Sequence, residues 1–413
     1  MLNLEVRFTR EPTIEEVSQE KKWSATSQKI LEMIKSKDST TTQQLEQTTG
    51  YKLSTVQAQV SILRRLGLIE TRIASADSQQ DLRQIMPRAS QQLNKSSDET
   101  KNAISLKEIP NMAKDESIAS RIFENQALIP TVHKLYCGDS RRMDEIEKDS
   151  VHLIVTSPPY WILKEYRQVE GQLGVIQNYG EFLDELTKVI SECYRVLIPG
   201  GRFVCVVGDV CLPRRKAGRH LVYPLHSDIT IRARNIGFDN LTPILWYKIT
   251  SARYEANTYS TILGKPYEPN AIIKNDVEFI LMQRKPGQYR KPTIEQRKMS
   301  FIPRKCYGQW FRQIWNLRGA STREHPAPFP LELALRLIRM YSFVGDIILD
   351  PFVGTGTTML GAINCGRNSI GYEIDPEFAE IARKKLLEES SKLFHRSRVH
   401  FKVCRTEASP KIT

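Results

Sequence analysis

Residues 346–362 read DIILDPFVGTGTTMLGA. A short β-branched run ends on an acid, crosses two glycines one residue apart, and enters a helix-like stretch. In open α/β sheets ligands sit beyond the carboxyl ends of strands, so this junction reads as a binding loop and with it decides the fold. Gly354 and Gly356 let the backbone pass close to a ligand, and a helix starting at Thr357 presents free N–H groups to it. One strand later, Gly371, Tyr372 and Glu373 set a second acid at a strand end, where a carboxylate can accept both hydroxyls of a ribose. The third glycine of a dinucleotide fingerprint is missing, which disfavours a nicotinamide cofactor.

Upstream, Val151–Thr156 is a second apolar strand and runs directly into Ser157, Pro158, Pro159, Tyr160 and Trp161. Two prolines fix their own φ and hold the residue before them extended, so this loop is stiff. Stiffness suits a fixed set of acceptors. An exocyclic aromatic amine is a poor nucleophile until acceptors hold its hydrogens out of the ring plane. The Ser157 hydroxyl and the Pro158 carbonyl can serve so, and Tyr160 offers a face for an extruded base. From about Ile129 the chain alternates strand-like runs (HKLYC, VHLIVTS, RFVCVVG, LTPILWYK, EFILMQR, GDIILD, NSIGYEI) with the amphipathic stretches EFLDELTKVISECYRVL and PLELALRLIRMYS. Such alternation predicts an α/β domain with a largely parallel sheet.

Ahead of that domain, residues 1–75 carry a helical pattern in which Val56, Val60, Leu63 and Leu66 form one stripe that ends at Gly67 and leads into LIETRI. Helix, short helix, helix, strand is similar to a winged helix-turn-helix, whose third helix contacts DNA or, in other uses, protein. Residues 76–125 are rich in Ser, Gln, Asn and Lys and read as a flexible polar linker. The strands and loops read above would then fall in a domain of residues 126–395, with 396–413 as a tail.

Composition narrows the partners. Sixty Lys plus Arg against 47 Asp plus Glu give +13 over 413 residues, which favours a polyanion. The seven cysteines are scattered without a CxxC pair, against a disulfide framework or a zinc site. No apolar run reaches membrane-span length and the first residues lack a signal-peptide core, so a cytoplasmic protein with no membrane partner is expected.

With these blocks in order, residues 132–388 resemble the β-type amino-methyltransferases of DNA, in which the catalytic loop precedes the cofactor loop. GDS at Gly138–Ser140, TSPPYW, YRVLIPGGRFVCVVGD, HPAPFP at His325–Pro330, YSFVGDIILDPFVGTGTT and GYEI carry the resemblance. It implies a Rossmann-like sheet in permuted order, double-stranded DNA as substrate and S-adenosylmethionine as cofactor. Asp139 would meet its adenine end, Asp350, Phe352, Gly354, Gly356 and Thr357 would line it, and Glu373 would hold its ribose. No metal is needed, because a sulfonium carries its own leaving group. Ser157 stands where family members acting on adenine more often carry Asp, so cytosine N4 is expected, with adenine N6 as the alternative. A restriction-modification setting with a cognate endonuclease is implied too. Two further readings are a methyltransferase for RNA or a protein amide, and a DNA-binding regulator with a decayed catalytic domain; the intact loops disfavour the latter.

Between the loops, residues 210–323 occupy the place of the family's target-recognition region. CLPRRKAGRH contributes Arg214, Arg215, Lys216 and Arg219, and RYEANTYS, KPYEPN and RKPGQYRKPTIEQRK follow. Basic side chains supply phosphate contacts and aromatic or amide ones can read bases; the other reading is a solvated basic loop.

Overall fold

In the computed structural model, the described residues are 4–8, 25–36, 40–65, 68–73, 108–248, 262–263, 269, 272–273, 275–320, 329–392 and 397–403. The chain divides into two compact units, residues 1–99 with 391–394 and the remainder. In the first, β1 (Leu4–Phe8), α1 (Ala25–Lys35), β2 (Thr40–Thr41), α2 (Thr42–Thr49), α3 (Leu53–Arg65) and β3 (Ile69–Ile73) follow in order. The three helices and closing strand match the sequence expectation. The strand β1 does not appear in it, yet it is the centre of the sheet β2-β1-β3 and antiparallel to both neighbours. Ile30, Ile34, Leu45, Val56, Val60 and Leu63 close the core of this unit. Leu66 and Gly67 lie outside the described residues.

The second unit has helical structure where a linker through residue 125 is expected. Asp115 caps α4 (Glu116–Gln126) by accepting from the N–H groups of Ser117 and Ile118, and Ala119, Ile122 and Gln126 are buried along one side. The polar composition of the segment masks this short amphipathic pattern; residues 76–107 of the expected linker lie outside the described residues.

Then come β4 (Val132–Cys137), β5 (Val151–Thr156), α5 (Tyr179–Val196), β6 (Leu197–Val207), β7 (Val210–Leu212), α6 (Arg214–Ala217), β8 (Leu221–Tyr223), α7 (Leu225–Ile236) and β9 (Asp239–Lys248). The chain continues with β10 (Ile262–Leu263), β11 (Ile272–Ile273), β12 (Val277–Arg284), α8 (Ile294–Met299), α9 (Arg304–Trp310) and β13 (Ile314–Leu317). It closes with α10 (Leu331–Tyr341), β14 (Ile347–Asp350), α11 (Thr357–Asn364), β15 (Asn368–Glu373), α12 (Pro376–Ser390) and β16 (Arg398–Val403). Nine strands form one sheet in the order β13-β9-β12-β6-β5-β14-β15-β4-β16. Only β12 runs against the others: it is antiparallel to β6 and β9, and every other neighbouring pair is parallel. Residues expected to form a tail thus include β16, which pairs in parallel with β4; its alternation of Val399, Phe401 and Val403 with basic residues suits an edge strand.

Both faces of the sheet are covered, as the near-continuous apolar strands require. Along β6, Phe203, Cys205 and Val207 pack with α5 and α7, while Val204 and Val206 pack with α10. Phe182, Leu186, Val189 and Cys193 give α5 its buried stripe, and Leu333, Ala334, Leu337 and Ile338 do so for α10. Among the described residues no helix is long and apolar enough to cross a membrane.

Candidate active site

Four adjacent parallel strands, β5, β14, β15 and β4, end at one edge of the sheet, and each delivers a motif there. β4 leads into Gly138 and Asp139, β5 into Ser157–Trp161, β14 into Pro351–Gly356, and β15 closes on Glu373. The ladder continues past the strands, with Gly138 N–H donating to the Glu373 carbonyl and Val353 N–H to that of Tyr372, both at 2.9 Å. Sequence-distant motifs therefore meet because their strands are neighbours.

The loops enclose a cleft of about 580 Å³ whose wall includes Asp139, Ser157, Pro159, Phe352, Gly354 and Glu373. Within it, Glu373 Oε2 accepts the Gly354 N–H at 2.7 Å and Oε1 accepts the Asp375 N–H at 2.9 Å. Gly354 can bring its N–H there because its φ is +54°, a left-handed conformation that glycine adopts without penalty. Burial, with Asp375 and Asp350 adding repulsion, raises the Glu373 carboxyl to about 7 against the pull of its two backbone donors. Asp139 is gripped by the Arg141 guanidinium, at 2.8 Å from Nε to Oδ2, and Arg141 also pairs with Glu185.

Asp350, Gly356 and Thr357, expected to touch a ligand, are not in that wall. Instead, Asp350 is 1% exposed and its Oδ1 accepts from Thr156 Oγ1 at 2.7 Å and from Phe352 N at 3.0 Å. It ties the strand before the proline loop to the glycine loop. Burial raises it to about 6, opposed by the Thr156 and Thr358 hydroxyls and the Phe352 N–H. Gly356, at φ +91°, caps α11, and a side chain there would press on Ala382.

The proline loop departs from expectation in its aromatic. Pro159 faces the cleft and Pro158 a smaller space of about 230 Å³ behind it, but the Tyr160 ring is 5% exposed and packs in the core. Its hydroxyl is the anchor, 3.2 Å from both Ser157 Oγ and Glu278 Oε2. Trp161 follows at φ +46°, unusual for a bulky residue, and its indole N–H reaches the Ile176 carbonyl at 2.9 Å. That turn directs the chain so that Tyr166, Gly171, Gln172 and Leu173 complete the cleft, with Ile374 and Phe378 opposite. Sequence reasoning missed these six; a glycine within a polar stretch just after the proline loop was the available signal. Asp375 Oδ2, next in sequence to Ile374, is buried without a hydrogen bond and has Arg167 Nε 3.8 Å away.

The basic stretches separate. Arg214, Arg215, Lys216 and Arg219 are exposed around the four-residue α6, between the paired strands β7 and β8 that follow the end of β6. By contrast Lys285 is buried, bound to Asp149 and to the carbonyls of Tyr194 and Leu197. Arg284 pairs with Asp239, and Arg290 with Asp346. Much of RKPGQYRKPTIEQRK is thus fastened to the fold. RYEANTYS, all of KPYEPN but Pro269, and His325–Pro328 lie outside the described residues.

Comparison with known proteins gives concordant findings. The model of the family N6_N4_Mtase, DNA methylase, matches residues 151–384. The type II methyltransferase M.MjaI of Methanocaldococcus jannaschii is 40% identical over 289 residues, 62% of this chain and 92% of its own length. M.MthZI of Methanothermobacter thermautotrophicus, also named a type II methyltransferase, is 34% identical over 283 residues, 62% of this chain and 77% of its own length. Among solved structures, a candidate DNA modification methylase from Thermus thermophilus, crystallised with S-adenosyl-L-methionine, is 47% identical with a TM-score of 0.55; the match covers 67% of this chain and all of that one.

Proposed function

The chain belongs to the N6_N4_Mtase family of DNA methylases, and on that premise we propose that it methylates the N4 amine of cytosine at specific sites in double-stranded DNA. It is an S-adenosylmethionine-dependent DNA methyltransferase. The choice of cytosine N4 is carried by Ser157, which puts a hydroxyl rather than a carboxylate at the head of the proline loop, in the wall shared with Phe352 and Glu373.

The cleft suits S-adenosylmethionine on its own features. It combines a buried carboxylate with lone pairs to spare and apolar walls from Phe352, Ile374 and Phe378. Glu373 would accept the ribose hydroxyls, Phe352 would pack against the cofactor, and Asp139, steadied by Arg141, would face the adenine end. When bound, the cofactor would supply an electrophilic methyl group from its sulfonium, leaving a neutral thioether, and the one proton the amine loses would pass to water. Ser157 Oγ and the Pro158 carbonyl would accept hydrogen bonds from the amine and aim its lone pair, and the prolines keep those acceptors from relaxing. Asp350 holds the two loops in mutual register through Thr156 and Phe352. Tyr160 enters through its hydroxyl, since its ring is covered.

The exposed Arg214, Arg215, Lys216 and Arg219 would contact phosphates. The sheet supports the permuted-order reading, because β14 and β15, late in the chain, lie between β4 and β5. Three helices followed by a strand support the winged-helix reading of the first unit. The type II relatives favour a restriction-modification setting with a partner endonuclease. Expression in a host that does not methylate its DNA, followed by nucleoside mass spectrometry and modification-aware sequencing, tests the proposal. N4-methylcytosine at a fixed site is expected; N6-methyladenine overturns the base assignment, and unmodified DNA overturns the activity.

A further inference from the structure

Because β12 alone runs against the sheet, its first residues lie at the edge where β5, β6 and β9 end. Glu278, second in β12, thereby reaches both the proline loop and the last residue of β9. Its Oε1 accepts from Lys248 Nζ at 2.6 Å and its Oε2 from the Tyr160 hydroxyl at 3.2 Å. The Tyr160 oxygen in turn accepts from Ser157 Oγ, also at 3.2 Å. These hydroxyl contacts are loose, as catalytic hydrogen bonds commonly are before substrate engages.

The chemistry of the partners fixes the direction of this chain. A carboxylate only accepts, whereas each hydroxyl has one proton to give. Tyr160 therefore gives its proton to Glu278 or to the Val206 carbonyl 3.4 Å away, both acceptors, and its oxygen is left to receive from Ser157. Burial and the adjacent Glu278 hold the Tyr160 hydroxyl well above its usual range, so it stays a donor. Ser157, with its proton committed to Tyr160, keeps its lone pairs for the cleft.

We propose that Glu278, held by Lys248, is a positioning residue for methyl transfer that sets hydrogen-bond direction through Tyr160, so that Ser157 meets the target amine as an acceptor. The proposal rests on the reading of Ser157 given above. It explains how a serine can orient an amine that a carboxylate would otherwise orient: a hydroxyl free to rotate would also present its own proton to the amine, and the chain through Tyr160 removes that choice.

Glu278→Gln tests it, because the new amide must place one donor and one acceptor where the carboxylate had two acceptors. Lys248 claims the amide oxygen, the amide N–H turns to Tyr160, and Ser157 loses its acceptor. Single-turnover methylation should fall roughly ten- to a hundredfold, the scale of one reversed buried hydrogen bond, with cofactor affinity and DNA affinity unchanged. Lys248→Met in the Glu278→Gln background frees the amide oxygen to face Tyr160 and should restore most of the rate, a recovery that a merely structural role does not predict. Tyr160→Phe, which keeps the ring and deletes the relay, should be as slow as Glu278→Gln. A wild-type rate in Glu278→Gln, or a double variant no faster than the single one, overturns the proposal. If Glu278→Gln fails to fold, Tyr160→Phe decides alone, and a wild-type rate there overturns it. Wild-type protein inert on DNA overturns the underlying reading instead, a result visible before any variant is made.

Discussion

Asp350 and Glu373 end the adjacent strands β14 and β15, and both carboxylates are almost wholly out of water. They are employed in opposite directions. Asp350 looks inward, and protein groups on β5 and on the glycine loop take up its hydrogen bonds. Glu373 is fixed by two backbone donors and faces the cleft. An acid at a strand end is therefore an ambiguous sign in sequence; which way the following loop folds decides whether it joins loops or holds a ligand. The same division runs through the basic residues, with Lys285 drawn into the fold and Arg214 left in solvent.

The sharpest way to break this comparison is to delete each acid. Asp350→Ala leaves the Thr156 hydroxyl and Phe352 N–H unpaired in the interior and should cost roughly 2–4 kcal/mol of stability by urea unfolding, together with cofactor binding. Asp350→Asn keeps an acceptor and sheds a costly charge, so it should lose less. Stability equal to wild type in Asp350→Ala would dissolve the distinction. Glu373→Ala should instead retain the fold and weaken S-adenosylmethionine roughly ten- to a hundredfold, since a charged acceptor of two hydroxyls is lost; calorimetry at wild-type affinity would remove Glu373 from the site.

The raised carboxyl of Glu373 adds a pH signature. Between its ordinary 4.5 and about 7 the folded state binds the extra proton, so stability declines as pH rises through that window and the full burial cost applies above about 7. Ribose hydroxyls prefer the carboxylate, so cofactor affinity should fall as pH drops below about 7, approaching tenfold per unit, and stay level above it. Glu373→Gln should flatten both curves; an unchanged titration of affinity in that variant assigns the pH dependence elsewhere.

A smaller effect separates the bases. Replacing Arg214, Arg215 and Lys216 together by Ala should reduce the salt dependence of DNA binding, by a slope of about 0.9 per lost phosphate contact, and leave stability alone. Lys285→Ala should do the reverse. The smallest effect is expected from removing residues 1–99, the first unit: the methylated sequence should stay the same while the Michaelis constant rises for long DNA more than for a short duplex, as a tether predicts. A relaxed or altered sequence preference would place that unit in target recognition.

What could be read from the sequence was whatever depends on neighbours along the chain. The stiff SPPYW loop, the GTG loop and the strands feeding them announce themselves through proline, glycine and β-branched residues. The five-residue β1 and the six-residue β16 alternate apolar and polar residues over stretches too short to stand out. Glu278 was visible only as part of the strand EFILMQR, because its meeting with Tyr160 depends on one strand running against the rest. The turn of Asp350 away from the cleft was equally hidden, since Thr156 lies far from it in sequence and adjacent in the sheet.

The place of β14 and β15 between β4 and β5 also has a consequence for biosynthesis. The ribosome makes β5, β6, α5 and α7 well before the two strands that must fill the middle of their sheet. Until these emerge, Leu153, Val155 and their neighbours have no finished second face to bury. Contacts so distant along the chain fold slowly and leave apolar edges open to wrong pairing. The nascent polypeptide should thus be most prone to aggregate, and most dependent on chaperones, in the interval between synthesis of β6 and release of β15.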